Sequence, residues 1–324
     1  MKAARIHRLE GPDALQIEDV TSPAPGPGQV KLAVHAAGVG FADTLVVSGR
    51  YQHTNPLPFT PGMEAAGEIL EVGPEVTAFR PGDRVMGPLR AGAWAEEAVC
   101  DAQTLVPMPS SMDYLTAAGF VLNYGTSHVA LTHRVPLAQG QTLLVLGASG
   151  GVGSTAVEIG KALGATVIAA ASSPEKLQAA RETGADHVID YRQDDLRQRV
   201  QEIAGGVDVV YDPVGGEASR QALRCLNYEG RLIALGFASG EIPQIAQNYL
   251  LVKNIAVVGY SWSSYRMQRP EIVRRSLEEL CRWFSEGRIR PRPAQVFPLA
   301  RIADALRAIQ DRKAMGKIVL AIRD

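Results

Sequence analysis

The chain has 324 residues, of which 46% are hydrophobic and 21% charged, with a formal net charge of -1. That length suits two domains of ordinary size, and the composition is that of a globular chain. The balanced charge leaves no electrostatic footprint for nucleic acid or an anionic membrane surface, so neither partner is expected. Residues 1–7 read as the start of a strand and not as a leader. The longest apolar runs fit buried strands and are too short to cross a bilayer. Cys100, Cys225 and Cys281 lie far apart with no C-x-x-C spacing. They read as packing thiols of a cytoplasmic protein, neither a disulfide frame nor a metal cluster.

Residues 1–118 are rich in Gly and Pro and carry short β-type runs at 30–36 and 66–72, separated by turn clusters at 23–28 and 80–83. This spacing predicts a compact β-rich domain, a partly open barrel. From residue 119 the pattern changes. Strands at 142–147, 166–171, 187–190, 207–211 and 230–235 alternate with helices at 150–163, 174–183, 194–203 and 216–226, which predicts a parallel sheet covered on both faces. Another apolar run at 255–259 adds a strand. Residues 270–286 read as an amphipathic helix, with Ile272, Val273, Leu277, Leu280, Cys281 and Phe284 on one side. The tail returns to the first style, with strands near 294–297 and 316–322 around a helix at 302–311. The expected domains are therefore 1–118 with 265–324, and an inserted 119–264.

One stretch organises the inserted domain. Leu143 to Leu146 is an apolar run, Gly147 to Gly153 is a glycine-rich turn, and the residues to Gly164 have mixed helical spacing. Strand, tight turn and helix in that order predict a dinucleotide site. The glycines let the backbone turn and approach a ligand, and the helix start offers free N–H groups to a pyrophosphate. A fold that binds NAD usually ends its second strand in an acid that holds the ribose 2′-hydroxyl. Here the strand 165–171 runs into Ser172 and Ser173, with Lys176 shortly after. Hydroxyls and an ammonium suit a 2′-phosphate, which predicts NADPH over NADH. The competing reading is that Ser172 and Ser173 cap the next helix while Lys176 is a solvated surface residue. Glu175 lies too far into the helix to be the expected acid.

At this point the motifs resemble a family. The segments at 37–43, 48–51, 61–67, 82–85, 147–153, 184–191, 209–216 and 316–320 are similar to those of the zinc-free branch of the medium-chain dehydrogenase/reductases, specifically NADPH:quinone oxidoreductases of the zeta-crystallin type. The resemblance covers nearly the whole chain. It implies an α/β fold in which a Rossmann doubly wound parallel sheet is inserted in a β-rich GroES-like domain, and a homo-oligomer. Zinc-dependent members have Cys where this chain has Gly40 and His where it has Met63, and their third ligand is absent from 122–124. The cysteine-rich loop is missing as well, so no metal is expected.

The resemblance also implies a set of contacts. Gly150, Gly151 and Val152 would line the pyrophosphate, while Ser173, Lys176 and Tyr191 would surround the 2′-phosphate. Thr126 would reach the nicotinamide side, and Phe237 would lie along the path from adenosine to nicotinamide. Ser149, Ser172, Val214 and Ser239 complete the expected cofactor contacts. Gly40 is counted with them, although the family usually has Asn there and that polar contact is lost. Phe41 is expected to wall the nicotinamide pocket, with core packing as the alternative. Tyr51 lines the acceptor site or, as in related enoyl-thioester reductases, donates a proton or orients a carbonyl; packing is again the alternative. Asp43 and Glu64, without a metal to support, are expected to bond nearby backbone groups. The activity implied is hydride or electron transfer from NADPH to a small electrophilic acceptor, a quinone. Two alternatives stand beside it: reduction of a 2-enoyl thioester or another α,β-unsaturated carbonyl, and a non-catalytic NADPH-binding protein with a structural or RNA-binding role.

Overall fold

The computed structural model describes residues 1–53 and 55–323. The chain divides into two compact units. Unit 1 comprises Met1–Leu122 and Leu277–Asp324, and unit 2 comprises Asn123–Ser276. The sequence places the boundaries earlier, at 118/119 and 264/265. Both observed boundaries fall inside continuous helices, where no turn signal marks them.

Unit 1 begins with β1 (Lys2–Ile6), β2 (Leu15–Asp19), β3 (Gln29–Val39), α1 (Phe41–Val47), β4 (Glu64–Val72), β5 (Arg84–Pro88), β6 (Glu97–Asp101) and β7 (Val106–Pro107). Helix α2 (Tyr114–Val129) then leads into unit 2. β1 pairs with β2, while β3 is the hub of the larger sheet. Antiparallel pairing joins it to β4, to β6 through Gln29–Ala33, and to the last strand of the chain through its other end. The fully buried side chains of this unit include Trp94, Ile6, Leu32, Ile69, Leu89 and Leu105. Each such apolar side chain contributes roughly 1.5–3 kcal/mol when removed from water.

Unit 2 contains β8 (Thr142–Leu146), α3 (Gly151–Ala162), β9 (Thr166–Ala171), α4 (Pro174–Glu182), β10 (His187–Asp190), α5 (Leu196–Ala204), β11 (Val207–Asp212), α6 (Gly216–Arg224), β12 (Leu226–Ala234), α7 (Gln247–Lys253), β13 (Ala256–Gly259), α8 (Trp262–Gln268) and α9 (Pro270–Ser285). Its six strands lie in the order β10-β9-β8-β11-β12-β13, all neighbours parallel. β8 comes first in this domain yet sits in the middle, so the chain winds outward first to one side and then to the other. The crevice where the direction reverses, between the carboxyl ends of β8 and β11, is where such sheets bind ligands. Residues 143–146 are buried, as a central strand covered on both faces requires. Local chemistry sets the helix ends: Asp195 caps α5, Gly205 closes it in a left-handed conformation, and Ser173 caps α4.

The tail supplies β14 (Pro293–Pro298), α10 (Ile302–Gln310) and β15 (Lys317–Ala321), the last paired antiparallel to β3. The alternating elements of unit 2 and the three of the tail lie where the sequence places them, within a few residues. The buried face of α9 includes Val273, Leu277, Leu280 and Trp283, so Trp283 joins the expected apolar side. Among the described residues, no helix is long and apolar enough to cross a membrane.

Candidate functional site

The glycine turn owes its shape to three different demands. Gly147 has φ +60, in the left-handed region. Its carbonyl accepts from the Gly150 N–H at 2.9 Å, closing the turn. At Gly153 an added Cβ would overlap the Gly147 carbonyl oxygen, so only hydrogen lets α3 pack against the turn. At Gly151 the nearest atom to an added Cβ is Asn123 Nδ2, at 2.6 Å. Gly150 is the N-cap of α3 and has no side chain to satisfy the first N–H groups. Those groups point from a twelve-residue helix toward the crevice at the sheet's switch point. The Asn123 side-chain nitrogen beside them is buried and has no acceptor. Unsatisfied donors at a helix start, over a backbone without side chains, fit an anionic pyrophosphate.

The next strand gathers the expected 2′-phosphate group. Asp190 is in register with Ala171, and the Tyr191 N–H donates to the Ala171 carbonyl at 3.2 Å. Tyr191 is thereby carried to the end of β9, where Ser172, Ser173 and Lys176 follow. All four side chains are half-buried. Ser173 Oγ accepts the Lys176 N–H at 3.4 Å, the cap that the sequence offers as the competing reading. The Ser173 hydroxyl also lies beside Glu175 and holds its carboxyl below the usual carboxylate range. Ser172 and Ser173 are the residues that end the strand, with the Glu175 carboxylate against the Ser173 hydroxyl.

Beyond the switch point, Val214, Phe237 and Ser239 form one cluster. Asp212 is buried, and its Oδ1 accepts the N–H groups of Val214 and Gly215, each at 2.9 Å. The Val214 carbonyl accepts from the Ser239 N–H at 2.9 Å. A Cβ on Gly147 would lie 3.0 Å from Val214, and one on Gly215 would lie 2.9 Å from the Phe237 ring. The turns after β8, β11 and β12 thus stand side by side. Thr126 lies on α2, next to Ser127. The Ser127 hydroxyl is 3.0 Å from the Val152 carbonyl and 2.8 Å from the Tyr211 hydroxyl.

Gly40, Phe41 and Tyr51 belong to unit 1, and only the first two are neighbours. Phe41 opens α1 and is 45% exposed. Tyr51 lies past the far end of that helix, edge-on to His53, in a shallow hollow with Leu9, Val46, Gly49, Asn55 and Phe59. The Gly40 N–H donates to Asp43 Oδ2 at 2.8 Å, and Glu64 Oε2 accepts the Leu122 N–H at 2.8 Å. Both carboxylates bond backbone groups, as expected. Sequence reasoning missed their cation. Lys317 pairs with Glu64 and faces Asp43, and all three side chains are buried. Burial pushes the Asp43 carboxyl up to about 7; Lys317 and the Gly40 N–H oppose the shift, and Glu64 adds to it. Met63 is buried as well. Among the described residues, no group of three or more His, Cys, Asp or Glu side chains could hold a metal ion. Asn123 and Asp212 were also missed: each is a single polar letter in an apolar context, and their partners come from other elements.

Two family descriptions match the chain: zinc-binding dehydrogenase over residues 151–279, and alcohol dehydrogenase GroES-like domain over 26–110. The quinone oxidoreductase-like protein 2 of Bos taurus is 39% identical over 325 residues, covering 99% of this chain and 93% of that protein. Among solved structures, Escherichia coli quinone oxidoreductase complexed with NADPH has a TM-score of 0.93 at 30% identity, covering 99% of this chain and 100% of that one. A 2-haloacrylate reductase has a TM-score of 0.87 at 34% identity, with 100% of both chains covered.

Proposed function

The chain belongs to the medium-chain dehydrogenase/reductase family, among the quinone oxidoreductases and their relatives, and we propose that it is an NADPH-dependent reductase of small electrophilic acceptors, quinones first. The observation that carries this reading is the end of β9. Ser172, Ser173 and Lys176 follow β9 there, the Tyr191 N–H bonds the Ala171 carbonyl beside them, and α3 starts from the same carboxyl edge of the sheet. Hydroxyls and an ammonium suit a doubly charged phosphate, which an acid would repel.

In this reading Gly150, Gly151 and Val152 hold the pyrophosphate through backbone donors, with Ser149 beside them. Val214, Phe237 and Ser239 line the path beyond the switch point, and Thr126 and Gly40 are read as further cofactor contacts. When bound, NADPH supplies the hydride, and the chain supplies orientation and polarity. Phe41, an exposed aromatic ring at a helix start, serves as an acceptor wall. Tyr51 is read as lining, because no strong acid is needed: a reduced quinone can take its protons from water. Gly40 and Met63 support a reaction without zinc, since glycine has no donor and a methionine thioether is not the thiolate, imidazole or carboxylate a zinc ion takes. The thiols of Cys100, Cys225 and Cys281 are unpaired, and burial pushes them up to about 12, 11 and 12. Inert packing thiols support a reducing cytoplasm. The edge strand β13 supports a homo-oligomer joined through the sheet.

The similarity to a 2-haloacrylate reductase favours a second reading, reduction of an α,β-unsaturated acid or thioester. Quenching of intrinsic fluorescence by NADPH and NADH tests the cofactor, and equal affinities would remove the 2′-phosphate argument. Oxidation of NADPH is then followed with an ortho-quinone, with 2-chloroacrylate and with crotonyl-CoA. Turnover with the quinone is expected. Turnover only with the other two would move the assignment to the second reading, and none at all, with NADPH still bound, would leave a binding protein.

A further inference from the structure

Asn123 is 6% exposed, and its Nδ2 is buried with no acceptor. The atom lies 2.6 Å from where a Gly151 Cβ would stand, against the backbone of the first turn of α3. The position is fixed from behind: the Asn123 carbonyl is within 3.1 Å of the Thr155 hydroxyl, which bonds Ser127 at 2.7 Å. Thus the main chain of Asn123 ties α2 to α3, while its side-chain donor is left without a partner. A buried amide donor without an acceptor costs free energy, and native chains rarely keep one without a reason. A Leu of similar bulk would pack there without that cost. The place of the donor supplies the reason. It stands beside helix N–H groups that are themselves unsatisfied and that face an anion site.

We propose that Asn123 is a cofactor-binding residue whose Nδ2–H donates to a pyrophosphate oxygen of NADPH at the start of α3. The inference rests on the NADPH reading above. It assigns a side-chain donor to a subsite otherwise built from backbone alone. A neutral amide suits the position, because a Lys or Arg would have to bury a charge in the ligand-free protein.

The test compares wild type with Asn123→Leu, and with Asn123→Ala in case Leu does not fit. Each is titrated with NADPH, with 2′-phospho-ADP-ribose and with adenosine 2′-monophosphate, which lacks the pyrophosphate. Thermal midpoints are measured without ligand. The variants should bind the first two ligands about ten-fold more weakly, the loss of one charge-assisted hydrogen bond. They should bind adenosine 2′-monophosphate within about two-fold of wild type. Their ligand-free midpoints should be equal to that of wild type or higher, since an unsatisfied donor has gone. Unchanged affinity for 2′-phospho-ADP-ribose would overturn the proposal. So would an equal loss for all three ligands, or a fall in the ligand-free midpoint of both variants, because either marks a packing role. If wild type itself fails to bind NADPH, the cofactor reading fails first.

Discussion

Asp43 makes the pH dependence of stability calculable. Its carboxyl moves from the ordinary 3.8 up to about 7 in the folded chain, chiefly through burial. Between those values the folded chain holds a proton that the unfolded chain has released. Stability contributed by this group is therefore fully present below about pH 4 and is lost as pH rises through 7. At 1.36 kcal/mol per unit the loss totals about 4 kcal/mol. Asp43→Asn removes the titration but keeps an oxygen for the Gly40 N–H. The new amide faces Lys317, which adds a pH-independent offset, so the slope and not the height carries the test. Urea unfolding of wild type and variant at half-unit steps from pH 4.5 to 8 gives the difference curve. Carboxylates elsewhere cancel in that difference, since distant sites add. The variant should gain on wild type by roughly 3 kcal/mol across this range, most steeply around pH 5–7. Parallel profiles would mean instead that Asp43 is ionised in the fold, with Lys317 as its full counter-charge.

Three further outcomes follow from the site. Ser173→Asp keeps the cap of α4 but sets a carboxylate at the end of β9; it should lower NADPH affinity about ten-fold or more and leave NADH unchanged or tighter, read by fluorescence titration. An unaltered preference would show that the 2′-phosphate lies elsewhere. Gly153→Ala should destabilise the chain by roughly 1–3 kcal/mol in thermal unfolding, because its methyl would meet the backbone of Gly147 and Ala148. A midpoint equal to wild type would mean that α3 can slide off the turn. Tyr51→Phe should leave quinone turnover within about two-fold, whereas general acid catalysis is worth about 100-fold or more. A loss of that size would restore Tyr51 as a proton donor.

The parts of the fold that were legible are those that local pattern determines. Leu143–Leu146 reads as a central strand because both its faces are covered, and Ser173 reads as a cap because its hydroxyl reaches a backbone N–H three residues on. Helices α1, α7 and α8 carry no comparable signal; each has seven residues, too few for a periodicity. The ion cluster was hidden for another reason. Val39 stands opposite Ile318 in the pairing of β3 with β15, which brings Gly40 beside Lys317 although most of the chain separates them. Sequence spacing cannot supply that register. Asp43 and Glu64 could therefore be read as backbone partners, but not as two acids sharing one buried lysine.

The glycine turn shows how far a motif can carry an argument. Gly147 is required by its backbone angle, Gly153 by the carbonyl of Gly147, and Gly151 by the amide of Asn123. Even at Gly150 an added Cβ would stand 3.3 Å from the Gly147 oxygen. Packing within the chain thus accounts for these glycines before any ligand is considered, and a glycine-rich turn by itself is evidence about packing. What points to a ligand is what the packing leaves undone. The first N–H groups of α3 have no intrahelical acceptor, and Asn123 Nδ2 beside them has none either. These donors belong to two elements of unit 2, α2 and α3, and one pyrophosphate would satisfy them together.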